Sequence, residues 1–358
     1  MRIDLFIVFR GKTYKISKIQ GKYRYLYDYT FERMRRNPIL CILAAVVMAA
    51  MLAPGCKKKK EDEVLPSLDG NLYFQVKPYL RAGDVVTLTP QGIEHPEGKG
   101  IGYWWMVGSV DAARDTVKLE NEDKSPVRVF TVPDDETGLF TIQCGAFASG
   151  YYGTTVNRSF YIVDPHIGGL ITGTGIEPGD PHFTAAAERP GEGDYYSVEA
   201  GGLTWMRNNL ASTACGAPLY DCEVMSYPLG RYYTWEEAVH ACPDGWRLPT
   251  DDEWAALGTD AGALMADAYM AGSKMWEYWP QVKITNSTKL SVIPAGYAIL
   301  GDYHQFSGME EYAAFWTATA DPADDTMALC RYINVNEAEV YVDSRHKTSF
   351  GASVRCVK

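Results

Sequence analysis

Gly230-Arg231-Tyr232-Tyr233-Thr234-Trp235-Glu236-Glu237-Ala238-Val239-His240-Ala241-Cys242-Pro243-Asp244-Gly245-Trp246-Arg247-Leu248-Pro249-Thr250-Asp251-Asp252-Glu253-Trp254 decides the fold of the C-terminal half of this 358-residue chain. Thr234 and Thr250 each stand three residues before a glutamate and lead into a run of helix-forming residues. In that spacing the threonine oxygen accepts from the third helical amide while the glutamate reaches back to the threonine amide. Such a capping box stabilises a helix start by about 1 kcal/mol. Two short helices are therefore predicted, one after Thr234 and one after Thr250. Pro243 and Pro249 forbid a single continuous helix, and Asp244-Gly245 favours a turn between them.

Outward from this stretch, further pieces follow in a recognisable order: Leu203-Thr204-Trp205-Met206-Arg207-Asn208-Asn209-Leu210, Ile293-Pro294-Ala295-Gly296-Tyr297, Phe315-Trp316-Thr317-Ala318-Thr319, and the ending Phe350-Gly351-Ala352-Ser353-Val354-Arg355-Cys356-Val357. Together they resemble the Fibrobacter succinogenes major paralogous domain across roughly residues 194–358. The resemblance implies an α+β fold similar to C-type-lectin-like and sulfatase-modifying-factor-like domains, a twisted antiparallel sheet with two flanking helices and long loops. It also implies a setting, since such domains are frequent in surface lipoproteins of Bacteroidetes-type bacteria. It supplies no established reaction. The oxidative chemistry of the sulfatase-modifying relatives uses a cysteine arrangement not found in this chain, so neither an enzyme nor a cofactor is expected. Trp246, Trp254 and Trp316 fall in motif positions and are expected in the core.

The resemblance further implies a bridge between Cys242 and Cys356, which match the long disulfide that closes C-type-lectin-like domains. Cys215 and Cys222 flank a short Gly-Ala-Pro loop and are placed for a local bridge, leaving Cys144 and Cys330 as buried thiols. No CxxC or Cys/His ligand spacing points to a metal. His240 lies near Cys242, but neighbours two apart on a helix face different directions and no third orienting residue accompanies them.

The N-terminal half has a different texture. Val85-Val86-Thr87-Leu88-Thr89, Tyr103-Trp104-Trp105-Met106-Val107, Val127 to Val132, Leu139 to Cys144 and Val156 to Val163 are β-branched or aromatic runs separated by Gly, Pro, Asp and Glu. Short strands at this spacing predict an antiparallel β-sandwich, and the tryptophan-bearing run resembles bacterial immunoglobulin-like and PKD-like domains. The fold class is thus β-rich and multidomain, an Ig/PKD-like sandwich followed by an α+β C-type-lectin-like domain. The expected divisions are an over-extended start at 1–33, a signal peptide at 34–55, a tether at 56–71, the sandwich at 72–164, a Gly/Pro-rich connector at 165–193 and the C-terminal domain at 194–358.

Arg35-Arg36-Asn37, the apolar run from Pro38 to Ala53, and Pro54-Gly55-Cys56 before four lysines read as an export signal, the apolar run being short for a membrane span. Leu52-Ala53-Pro54-Gly55-Cys56 resembles the lipobox of bacterial lipoproteins, which makes Cys56 the lipidation site and the membrane the first partner. An outer-membrane or cell-surface lipoprotein of a Gram-negative bacterium is expected. Of the 34 Lys and Arg and 45 Asp and Glu, 10 and 3 lie in residues 1–55, so the trimmed chain carries a net charge of −18. Such a surface repels nucleic acid.

The function these features predict is binding of an extracellular glycan or protein, with a structural role in a surface assembly as the alternative and an unidentified catalytic activity behind it. Trp276, Tyr278, Trp279, Tyr303, Tyr312 and Tyr332 lie in or beside the long loop segment, where amphipathic rings can stack on sugars or fill a partner's pocket. Asp321-Pro322-Ala323-Asp324-Asp325 reads as a solvated turn. The Glu-Pro-Asn, Gln-Pro-Asp and Trp-Asn-Asp signatures of calcium-dependent sugar binding are missing, so recognition is expected to be calcium-independent.

Overall fold

The computed structural model describes residues 3–9, 12–19, 22–24, 64–109, 117–119, 126–134, 136–164, 169–185, 194–276 and 282–358. The apolar run, the lipobox and Cys56 lie outside these residues. Among the described residues no helix is long and apolar enough to cross a membrane. The chain divides into two compact units, Met1–Val64 and Leu65–Lys358. In the first, Ile3–Phe9, Lys12–Ile19 and Lys22–Arg24 pair as an antiparallel sheet, within the residues expected to be an over-extended start.

The second unit is β-rich and begins with layered β-structure. Gly102–Ser109, Gly138–Phe147 and Thr154–Val163 form the centre of a five-stranded sheet, with Val117–Leu119 on one edge and Tyr79–Arg81 added in parallel on the other. Two ribbons, Asp69–Tyr73 with Gln91–Glu94 and Val85–Leu88 with Arg128–Thr131, contribute Leu72, Ile93, Leu88 and Phe130 to the same core. Along Gly138–Phe147 the buried residues Phe140, Ile142, Cys144 and Ala146 recur every second position, the period of a strand with one face inward. Trp105 fills the centre and donates its indole N–H to Pro126 C=O at 3.0 Å. Gly145 is required opposite Trp104, whose ring a Cβ would meet at 2.0 Å.

Both predicted helices form, at Trp235–Ala241 and Asp251–Ala255, and both capping boxes are complete. Around them lie the hairpin Tyr195–Ala200/Leu203–Met206 and two three-stranded antiparallel sheets. One contains Tyr312–Ala320, Met327–Asn334 and Tyr341–His346, and the other Gln305–Ser307, Tyr297–Ile299 and Phe350–Gly351.

The last residues stitch these parts together. Ala352 exchanges two backbone bonds with Tyr233; Ser353 donates to Ala314 and accepts from Trp316; Val354 and Cys356 accept from Leu210 and Met206; Val357 exchanges with Arg247. The expected Cys242–Cys356 disulfide is present, with Cα atoms 5.9 Å apart, and ties the end of the first helix to this segment. Cys215 and Cys222 are not joined, which corrects the expected local bridge. Cys222 is buried with Leu219 and Met225 in one core, whereas Cys215 packs against another core beside Tyr233 and Ala241. Cys144 and Cys330 are buried thiols, and burial pushes both up to about 12.

Trp254 and Trp316 are buried as expected. Trp246 is only partly so, with Phe183 stacked on it at 4.3 Å and the Lys358 ammonium 4.8 Å from its centroid. The two halves of the second unit share a core in which Val163, Leu170 and Ile171 meet Leu219, Met225 and Ala268.

A loop closed over 114 residues by Cys242–Cys356 contributes about 4 to 5 kcal/mol in the chain-entropy model. The paired serine variant is expected to lose stability of that order in denaturant unfolding. Hydrogen bonds from Arg247, with the Thr250 amide, hold the Glu253 carboxyl at about 2 instead of 4.5, against the opposing effect of burial. A carboxyl depressed in this way contributes stability that is full above pH 4.5 and lost as pH falls toward 2. Glu253→Gln is therefore expected to be less stable near neutrality and to flatten the stability profile across that acid window, measured by thermal melts.

Candidate functional site

One face of the sheet Tyr312–Ala320, Met327–Asn334, Tyr341–His346 is set by its register. Tyr332 lies opposite both Ala314 and Tyr341, Cys330 opposite Trp316 and Asp343, and Ala328 opposite Arg345. Side chains at alternate positions point the same way, so Tyr312, Tyr332, Tyr341, Asp343 and Arg345 share that face. Trp316, Ala314, Ala328 and Cys330 are fully buried in the same core. Phe350 packs edge-on against Trp316 and carries Tyr297 stacked on it at 5.4 Å.

Tyr297, Tyr312, Tyr332, Tyr341, Arg345 and Phe350 line a cavity of about 540 Å³, together with Ile299, Met327, Ser344, His346 and Ser349. Tyr332 and Tyr341 are stacked with centroids 5.1 Å apart and planes 11° from parallel. Tyr312 meets Tyr297 edge-on. Tyr332 is almost completely buried, while Tyr297, Tyr312 and Tyr341 are half-buried and keep part of each ring accessible. Burial raises the Tyr332 and Tyr341 phenols above their ordinary range, so both are neutral hydrogen-bonding groups at pH 7.

Arg345 supplies the charge. Its guanidinium lies 5.3 Å from the Tyr332 centroid and 5.5 Å from that of Phe350, a distance at which a cation is attracted to a ring face. Its Nε donates to the Tyr332 hydroxyl at 2.6 Å and one Nη pairs with Asp343 at 2.7 Å. Arg345 and Asp343 remain 39% and 46% exposed, so both polar ends are available to a ligand. The site thus combines apolar ring surface with a donor and an acceptor side by side.

Of the six aromatic residues expected to bind, the structure brings Tyr312 and Tyr332 into this cavity. Trp276 is fully buried in a core with Trp205, Trp254 and Leu290, which corrects its assignment to a binding loop. Its position beside the long loop segment suggested an accessible ring, but packing against residues distant in sequence encloses its side chain. Tyr303 is 85% exposed on the bend between Tyr297–Ile299 and Gln305–Ser307, apart from the cavity. Tyr278 and Trp279 lie outside the described residues.

Sequence reasoning missed Tyr297, Tyr341, Asp343, Arg345 and Phe350. The alternation Tyr341-x-Asp343-x-Arg345 was the available signal, since it places three polar or amphipathic groups on one side of a strand. In the acidic loop, Asp321 accepts from Ala323 N–H and Ser344 Oγ, and Asp324 from Thr326 N–H and Oγ1. These bonds hold both carboxyls below their ordinary range and make the segment a self-capped turn. Cys242, the apparent neighbour of His240, is committed to the disulfide.

Residues 198–358 match the family model of the Fibrobacter succinogenes major domain. No curated protein and no solved structure matches the chain.

Proposed function

We propose that this protein is a lipid-anchored component of a Gram-negative cell envelope whose C-terminal domain binds an extracellular glycan, without calcium, in the cleft around Tyr297, Tyr312, Tyr341 and Arg345. The convergence of these rings on one cavity, with Arg345 in its lining and Asp343 paired to Arg345, carries the functional assignment. A pyranose presents a C–H face that packs against half-buried aromatic rings, and neighbouring hydroxyls that match a fixed donor and acceptor pair. Ser344 and Ser349 add further polar groups to the lining.

Anchoring is supported by the sequence Arg35-Arg36, the apolar run and Cys56 followed by four lysines. An immunoglobulin- or PKD-like sandwich at 72–164 and a C-type-lectin-like fold at 194–358 are consistent with the layered β-structure and the disulfide-closed α+β domain. In that arrangement the β-layers act as a spacer and the terminal domain displays the cleft.

The test is a glycan array probed with the full chain in the presence and absence of a chelator. Binding that survives chelation is expected, and Tyr341→Ala is expected to weaken it by roughly tenfold or more, the order of one lost aromatic contact with its hydrogen bonding. Tyr341 lies at the periphery, so the variant should melt within a few degrees of the parent. A flat array, or binding abolished by the chelator, would overturn the assignment.

A further inference from the structure

We propose that the junction between the two halves of the second unit holds a separate docking slot for an extended acidic peptide, taken up as an added strand along Val85–Leu88. The slot has a volume of about 1030 Å³ and lies between the strand Val85–Leu88, the segment Tyr73–Arg81 and residues Cys222–Val224. It shares no residue with the aromatic cleft.

Backbone phase supplies the first observation. Among the described residues Val85–Leu88 is paired on one side only, with Arg128–Thr131. The bond from Val132 N–H to Asp84 C=O fixes which residues face that partner, so Val86 and Leu88 turn their backbone groups inward and Val85 and Thr87 turn theirs away. Among the described residues nothing pairs with the outward groups of Val85 and Thr87, and both side chains are exposed. Edge strands are ordinarily blunted by proline, charge or a bulge, and this one carries none within Val85-Val86-Thr87-Leu88. The opposite wall differs: at Arg81 the outward N–H is capped by the Asp84 carboxylate at 2.7 Å. An added strand therefore has one template, on the ribbon side.

Charge supplies the second observation and selects the occupant. In a chain of net charge −11, this slot is lined by three cations, Lys77, Arg81 and Arg158, and two carboxylates. Among the described residues only one of the two carboxylates is ion-paired. Asp84 caps the Arg81 amide, and Glu223 pairs with Arg231 at 2.7 Å. Among the described residues the cations have no ion-pair partner: Lys77 bonds to the Asp221 carbonyl and Arg158 to the Asn157 carbonyl, so three positive charges face the single unpaired carboxylate of Asp84. Between them the floor is apolar, with Phe74 and Leu80 buried and Val76 and Val86 half-buried. An extended segment alternating acidic and β-branched side chains matches both features, its main chain pairing with Val85 and Thr87 and its carboxylates meeting the rim.

The full chain is to be titrated, by fluorescence anisotropy, with two short labelled peptides, one alternating glutamate and valine and one alternating lysine and valine. Tighter binding of the acidic peptide by roughly tenfold or more is expected, weakening as salt rises. Thr87→Pro removes an outward donor without touching the ladder to Arg128–Thr131 and is expected to weaken binding by a similar factor. Arg81→Glu with Arg158→Glu, both exposed positions, is expected to abolish the preference for the acidic peptide and carries the test if the proline variant fails to fold. Hydrogen exchange at Val85 and Thr87 should slow on binding. Equal affinity for the two peptides, no binding of the acidic one, or binding that a folded Thr87→Pro variant leaves unchanged would overturn the docking slot.

Discussion

The C-terminal half of the molecule depends on a guanidinium carried into its interior with no carboxylate among the described residues to receive it. Arg355 is 1% exposed, and its donors go to Asn209 Oδ1 and to the carbonyls of Met206, Leu290 and Ser291. Burial, followed by the nearby charge of Arg207, pushes its pKa down to about 9, a measure of how poorly this environment tolerates the ion. A buried charge is admissible only when its hydrogen bonds are met, so segments around residues 206–209 and 290–291 must arrive at the same place as the last strand. The planar fork of arginine reaches three carbonyls and an amide oxygen at once, and the point charge of a lysine does not. Arg207 extends the same arrangement to Asp180, Gly175 and Ser291.

Once that centre is closed, the positions of the other parts follow. The segment Phe350–Lys358 can bond simultaneously to Tyr233, Ala314, Leu210, Met206 and Arg247 only if the hairpin, the two capped helices and the long sheet surround it. Cys242–Cys356 locks that arrangement one residue away from Arg355. Phe350, at the start of the same segment, is thereby pressed against Trp316 and becomes the base on which Tyr297 stacks. The cleft is a by-product of this closure at one end and of strand register at the other.

Local signals in the sequence were legible and non-local ones were not. Thr234 with Glu237 and Thr250 with Glu253 act within one helical turn, so their spacing alone specified both helix starts. The Cys242–Cys356 bridge spans 114 residues and came from resemblance, whereas the closeness of Cys215 and Cys222 in sequence was misleading because their side chains enter different cores. Trp276 lies beside the long loop segment yet is enclosed with Trp205, Trp254 and Leu290 from distant segments. The partners of Arg355 lie 64 to 149 residues away, and nothing in Val354-Arg355-Cys356 by itself reveals them.

The same division between closure and display explains where function can reside. Residues that close the domain, such as Arg355, Trp316 and Asn209, are buried and bonded in several directions, so substitution there acts through stability first. Tyr341, Asp343 and Arg345 sit on a strand paired on one side to Met327–Asn334, with their distal groups partly in solvent. A disulfide-braced frame that presents a strand face is suited to holding rings and a charged pair at set separations, and such preorganisation lowers the entropic cost of binding. The slot beside Val85 follows the same logic by different means, because its template is backbone and its selectivity comes from three surface cations in a strongly acidic chain.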